Sequence, residues 1–361
     1  MVIHLTQKLA EKLNVSPAKA TTVNEFTSWR ANYVQDHGAS FVVFMNDASR
    51  FTIVINDAKA AKLKKLPELF SKVLIDTLRS LNINTDVIEY YLEELGNKVV
   101  YAKNADRKKT AQLNRHTECV LWALENSGND VELSLYANNV IYNVTGKDEP
   151  VVPIKKMKEL LGKYNLPVIK CAAVDLNVRL LLGGGKRDAI RCLRVPVNIT
   201  FEYLHHILQA AFGWHDSHLY CFGMLKDWDI AKYNKPEIKL ISQKEDFEYK
   251  PDAIFTDSVK LIDYIGTYQK IIYIYDYGDG WLHQIEVENL NVDCYEELPI
   301  LLSGTGDSPP EDVGGAGGFA EFLNIINNPK HEEYEKMKEW AEGQWWKPFC
   351  YEKIFNFVKN I

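Results

Sequence analysis

Apolar side chains change their spacing several times along the chain, and each change predicts an element. In 41-FVVFMNDASRFTIVI-55, β-branched and aromatic residues flank an Asn-Asp-Ala-Ser turn, which predicts two strands. Leu66, Leu69, Phe70, Val73, Leu74, Leu78 and Leu81 then recur at helical spacing. Further helices are expected near 84–95 and 108–126. The stretch 133-LSLYANNVIYNV-144 predicts a hairpin turning at Asn138-Asn139. After it, the turn-rich GKDEPVVP and a short charged helix at 154–164 look like a connection between two cores. The 361 residues exceed the usual size of one core, so domains are expected at 1–150 and 168–361, joined by a helical linker at 151–167.

The second half opens with strand-like VIKCAAVDLNVRLLL and AIRCLRVPV on either side of GGGKRD. A phosphate loop needs an earlier glycine and a Ser or Thr after the lysine; Leu180 and Arg187 stand there, so a glycine hairpin turn is expected. A helix follows at 200–212. Thr200 can cap it, Leu204, Leu208, Ala211 and Phe212 form its apolar stripe with His205 alongside, and Gly213 can end it. WHDSHLYCF at 214–222 predicts a strand carrying His218 and Tyr220. The loop 303-SGTGDSPPEDVGGAGG-318 is too long for a simple connector and suits a site-covering role. Phe319, Phe322, Leu323 and Ile326, then Tyr334, Met337 and Trp340, mark closing helices. The fold class expected is α+β, in two domains, each with a mainly antiparallel sheet packed by helices.

One hairpin carries unexpected chemistry. In 275-YDYGDGWLHQIEVE-288, Asp279-Gly280 suits a two-residue type I′ turn. Counting outward pairs Gly278 with Trp281, Tyr277 with Leu282, Asp276 with His283 and Ile274 with Ile285. Ile272, Ile274, Ile285 and Val287 then share an inward face with Asp276 and His283, while Tyr273 and Tyr275 face outward. An opposed carboxylate and imidazole would touch, and the pairing would raise the histidine pKa. That is the geometry of a general base with its orienting acid, or of a structural latch, and both readings stand.

Composition narrows the function classes. The chain holds 46% hydrophobic and 25% charged residues, as an ordinary globular protein does. No apolar run approaches the roughly 20 residues of a membrane span. The start MVIHLTQKLAEKL lacks a signal-peptide pattern, so a cytoplasmic location is expected. Cys119, Cys171, Cys192, Cys221, Cys294 and Cys350 contain no C-x-x-C pair and read as reduced, mostly packed thiols. Residues 1–167 are net +3 and residues 168–361 net −10, which makes the second half a poor match for phosphates. Lys98, Lys103, Arg107, Lys108, Lys109 and Arg115 are the candidates for nucleic-acid contact. His205, His206, His215, His218 and His283, with Asp276, Asp279, Glu311 and Asp312, offer nitrogen and oxygen donors. None has H-x-x-x-H or H-E-x-x-H spacing, so no metal site is assigned and no cofactor is required.

VPVNITFEYLHHILQAAFGW, SHLYCF, YDYGDGWLHQIEVE and PPEDVGG, in that order, resemble the plasmid pRiA4b ORF-3-like family over roughly residues 168–345. The resemblance implies a compact α+β domain found on plasmids and mobile elements. It also implies that His205, Trp214, His218, Asp276, Gly278, Asp279, Trp281, His283, Glu311 and Asp312 occupy motif positions. The chain departs from the family where Leu301 and Ser308 replace cysteines, and where Ile190-Arg191-Cys192 stands for a tryptophan-arginine-arginine run. More weakly, HLTQKLAEKL, TSWRANY and VVFMNDASRFTIVI resemble a domain of unknown function.

Three function classes follow. A binding or adaptor protein would grip a protein segment or small ligand in a polar pocket formed by His205, Trp214, His218, Asp276, Asp279, Trp281, His283, Glu311 and Asp312. A metal-dependent hydrolase or nuclease would use His283 and Asp276 as base and orienting acid. A mobile-element or defence accessory would touch DNA through residues 98–115. A protein or small-ligand partner is preferred over nucleic acid, and no membrane is expected.

Overall fold

The structure is a computed structural model that describes residues 1–19, 24–36, 38–124, 128–140, 150–183, 188–229, 233, 235–244 and 252–361. The chain divides into two compact units, Met1–Lys170 and Cys171–Ile361. Both are α+β. The first contains β1 (Val2–Leu5), α1 (Gln7–Leu13), β2 (Ser28–Asp36), β3 (Ala39–Asn46), β4 (Thr52–Asn56), α2 (Ala60–Leu63), α3 (Leu66–Ser80), α4 (Thr85–Leu95), β5 (Val100–Lys103), α5 (Arg107–Leu124), α6 (Asp130–Asn139) and α7 (Pro153–Leu161).

Among the described residues its sheet runs β4-β3-β2-β1-β5. β1 pairs parallel with both β2 and β5, while β2-β3 and β3-β4 are antiparallel, so this sheet is mixed. The parallel pairs need crossovers, which α1 and the α2–α4 run supply. FVVFM on β3 is apolar throughout because both faces are covered: Val42 and Phe44 pack toward α3, while Phe41, Val43 and Met45 pack toward α5 and α6. Phe70 sits at the centre of the first layer, 4.9 Å from Trp29 and 4.7 Å from Phe44 between ring centroids.

Residues 133–139 form helix, where a hairpin was expected; 141–149 lie outside the described residues. Asn129 starts α6 with a capping box to Glu132. Asp130, Ser134 and Asn138, one helical turn apart, then face the edge of β4. The backbone N–H groups of Asn56, Val54 and Thr52 donate to them at 2.8, 2.9 and 2.7 Å, and the Asn138 amide returns a bond to the Thr52 carbonyl. The asparagine that suggests a turn therefore closes a sheet edge instead. The helix expected as a linker, α7, packs Ile154, Met157 and Leu161 into the first unit's core.

The second unit contains β6 (Cys171–Leu180), β7 (Ala189–Pro196), α8 (Phe201–Phe212), β8 (Tyr220–Leu225), β9 (Ile238–Ile241), β10 (Ile254–Phe255), α9 (Ile262–Ile265), β11 (Lys270–Tyr275), β12 (Trp281–Cys294), β13 (Ile300–Thr305), α10 (Gly315–Ile326), α11 (Tyr334–Gly343) and α12 (Tyr351–Lys359). Its sheet runs β10-β9-β8-β11-β12-β6-β7-β13, antiparallel except between β9 and β10. One face packs on α8, α10 and α12. Helix α8 matches its sequence signals: the Thr200 side chain accepts from the Tyr203 N–H, and Gly213 takes the left-handed conformation at its end. β6 and β7 pair as expected around the glycine turn, of which residues 184–187 lie outside the described residues.

The hairpin register differs from the expected one. Tyr275 pairs with Trp281, Tyr273 with His283 and Ile271 with Ile285. Asp276 has left the ladder in a left-handed conformation (φ 56°), and the Gly280 N–H donates to its carbonyl at 2.7 Å. Five residues, not two, make the turn. The slip exchanges the faces of β11 and leaves His283 and Ile285 of β12 inward. Tyr273, Tyr275, Trp281 and Ile285 look into the core, whereas Ile272 joins Leu225 and Tyr233 on the opposite side. Likewise β8 begins at Tyr220, leaving His218 in the preceding loop.

Candidate functional site

The ordered connection after β13 brings several separate segments together. Gly315 (φ 69°) lies so close to the hairpin turn that a Cβ there would stand 3.0 Å from the Asp279 carbonyl oxygen. A Cβ at Gly318 would meet the Val313 carbonyl at 1.9 Å. The glycines thus belong to a tight helix start that docks against the hairpin. Asp279 accepts from the Gly314 N–H at 3.0 Å, a structural bond. Trp214, between Phe212 and Tyr275, donates its indole N–H to the Pro309 carbonyl at 2.9 Å. Of the 303–318 segment, the proline turn packs on Trp214, while residues 303–305 complete β13 and 315–318 open α10.

Asp276 and His283 do not pair. His283 is fully buried, and its Nδ1 lies 3.2 and 3.1 Å from the Tyr273 and Trp281 carbonyls. Its ring meets Phe212 and Trp214 edge to face. Burial pushes its pKa down to about 3, the reverse of the rise that a carboxylate partner would cause. Trp281 is likewise buried beside Trp214.

His205, beside the α8 stripe in sequence, is also fully buried. It stacks on Tyr220 with centroids 3.6 Å apart. Its Nδ1 lies 2.8 Å from the Tyr273 hydroxyl and its Nε2 2.8 Å from Asp216 Oδ1. Gln209 closes this ring: its amide donates to the Tyr273 hydroxyl at 3.0 Å and its carbonyl accepts from the Asp216 N–H at 2.8 Å. Burial outweighs the Asp216 carboxylate and lowers the His205 pKa to about 4. Gln209 and Asp216 were not anticipated, and Tyr273 was assigned to the wrong face.

The remaining expected residues converge elsewhere. His218 Nε2 stands 3.7 Å from Asp276 Oδ2, 3.8 Å from Glu311 Oε2 and 3.3 Å from Asp312 Oδ1. Glu311 Oε1 accepts from the His215 N–H and the Tyr275 hydroxyl, each at 2.9 Å. Next to this cluster lies a cavity of about 820 Å³, between the end of α8, the 308–311 turn and α12. Phe212, Trp214, Trp346, Phe349 and Phe357 line it, together with Glu311, Lys347 and Lys353. Its far wall comes from the last 20 residues, where no chemistry was read from sequence.

Arg191 closes one side. Its guanidinium donates to the carbonyls of Ala211, Ile190, Thr305 and Gly306 and to the Ser308 hydroxyl, between the Phe212 and Phe349 rings. Burial lowers its pKa to about 10.

In the first unit the expected basic group is divided. Lys103 ends β5 at one side of the sheet, Arg107 and Lys108 are exposed at the start of α5, and Arg115 is half-buried two turns on. Lys109 is engaged by Glu25 and Asp47.

Residues 174–353, the span that builds this cluster and cavity, match the plasmid pRiA4b ORF-3-like protein family. The chain belongs to the plasmid pRiA4b ORF-3-like family. Its first unit matches a domain of unknown function (DUF6933) over residues 2–156. An uncharacterised protein of Sinorhizobium fredii, y4hQ, is 35% identical over 160 residues, which is 42% of this chain and 73% of that protein. A solved structure of a protein of unknown function from Methanosarcina mazei Go1 is similar at 28% identity and a TM-score of 0.41, covering 50% of this chain and 96% of that one. Among the described residues, no helix is long and apolar enough to cross a membrane.

Proposed function

We propose that the pRiA4b ORF-3-like unit is a binding module whose ligand occupies the cavity beside Glu311. The observation that carries this reading is the cavity itself. Its volume of about 820 Å³ falls in the roughly 300–1,000 Å³ range of ligand pockets. Its aromatic walls suit a small organic ligand with a flat apolar body. Trp345, 74% exposed, adds stacking surface, and Lys347 and Lys353 suit an anionic substituent.

The hydrolase alternative has lost its expected base, because His283 is sealed in the core with a pKa near 3. The DNA-accessory alternative has lost Lys109 to its acidic partners.

The probe for the binding reading is 1-anilinonaphthalene-8-sulfonate, which combines fused rings with an anion. Fluorescence titration should give one saturable site. Ala210→Trp, which fills the cavity wall, should abolish that signal without lowering the melting temperature. Undiminished binding to a folded Ala210→Trp protein would sink the reading.

A further inference from the structure

We propose that His218, Asp276, Glu311 and Asp312 form a binding site for one divalent transition-metal ion. The inference does not depend on what the cavity binds, although Glu311 also lines that cavity.

Four donor atoms arrive from three separate segments. His218 comes from the loop before β8, Asp276 from the hairpin turn, and Glu311 with Asp312 from the proline turn before α10. His218 Nε2 lies 3.3–3.8 Å from one oxygen of each carboxylate. The donor atoms of His218, Asp276 and Asp312 all fall within 4.8 Å of one another. Ligands at about 2.0–2.2 Å from a common ion stand about 3.0–3.5 Å apart, so His218, Asp276 and Asp312 are near coordination spacing, and Glu311 Oε2 joins them through its 3.8 Å approach to His218.

The second observation is what the buried atoms lack. Glu311 is only 4% exposed, and its Oε2 has no hydrogen-bond partner; the His218 Nε2 is buried without one as well. These two unsatisfied atoms face each other at 3.8 Å, too far for a direct bond. The other oxygen of each buried carboxylate is already used. Glu311 Oε1 takes the His215 N–H and the Tyr275 hydroxyl, and Asp276 Oδ1 takes the Gly278 N–H at 2.8 Å. Those bonds orient the free oxygens toward His218, as outer partners do around metal ligands. Three carboxylates and an imidazole, two of the carboxylates buried, are costly to assemble without a cation between them.

The nearby trio of His205, His206 and Asp216 does not share this property. Both ring nitrogens of His205 are bound, to Tyr273 and to Asp216, so no lone pair is free. One imidazole with three carboxylates suits Mn²⁺ or Zn²⁺.

The test is calorimetric titration of the full chain, stripped with chelator, with MnCl₂ and separately with ZnCl₂. One ion per chain should bind, with a rise in melting temperature. His218→Ala and Asp312→Asn should each weaken affinity by about tenfold or more. Asp312 is largely exposed, so its variant should fold, and Asp216→Asn should leave affinity unchanged. Absence of saturable Mn²⁺ and Zn²⁺ binding up to about 1 mM would overturn the proposal. So would binding that survives both His218→Ala and Asp312→Asn, or binding of Ca²⁺ alone, which needs no imidazole.

Discussion

His283 and His205 act at the residue scale as buried neutral rings. When the chain unfolds they titrate near 6.5, whereas in the fold they hold out to about 3 and about 4. The unfolded state therefore binds more protons below pH 6.5, and stability, full above that value, falls as the pH drops. Each histidine contributes up to about 1.4 kcal/mol per pH unit in that window. Melting temperature measured between about pH 7 and 5 should fall, and His283→Leu should flatten the slope; an unchanged slope would show that the ring is not sealed. Arg191 is the opposite case, a buried cation held by carbonyls. Arg191→Met should cost about 3 kcal/mol in denaturant unfolding, because it strands several acceptors, and Arg191→Lys should recover little, since an ammonium cannot fork among them. Neither role was legible in sequence. His283 was placed inward, but its expected partner was Asp276, and Asp276 leaves the strand, so the ring is sealed among Phe212, Trp214 and Tyr273 without a carboxylate. Arg191 entered only as part of the Ile190-Arg191-Cys192 departure from the family pattern, and nothing in its spacing showed that it points into the unit.

At the scale of elements, long apolar periodicities were legible and short polar ones were not. Helices α3, α4, α5 and α8 and the strand pair β3-β4 follow their patterns, because one period persists through each. The α6 segment was misread because Asn138-Asn139 before Val140 and Ile141 has turn chemistry, while the signal that mattered was polar residues four apart at Asp130, Ser134 and Asn138. These residues take the place of a strand along β4. Asn138→Ala should therefore cost on the order of 1–3 kcal/mol and increase aggregation on mild heating, since it uncovers the Thr52 N–H and carbonyl at the edge. Light scattering no different from the parent protein would show that the edge is protected by other means. The hairpin was recognised as a hairpin, but Asp279-Gly280 suggested a two-residue loop where five residues turn. His218, Asp276, Glu311 and Asp312 were expected in one pocket with His205, Trp281 and His283; that the four gather apart from those buried rings was not legible, because they lie on three segments with no spacing rule between them.

At the scale of the whole molecule, each unit has its own core, and the division falls at Lys170–Cys171. Chains 1–170 and 171–361, made separately, should each unfold cooperatively, and the anilinonaphthalene sulfonate signal should stay with 171–361; a signal that needs residues 1–170 would contradict this. Within the second unit, Glu311 presents one side chain to two places. One oxygen is held by His215 and Tyr275 near the cavity, and the other faces His218. Occupancy on one side should then change affinity on the other, and reciprocity makes the two factors equal. Measuring dye affinity with and without Mn²⁺, and Mn²⁺ affinity with and without dye, would return matching ratios that differ from unity; ratios of one would mean that this carboxylate transmits nothing.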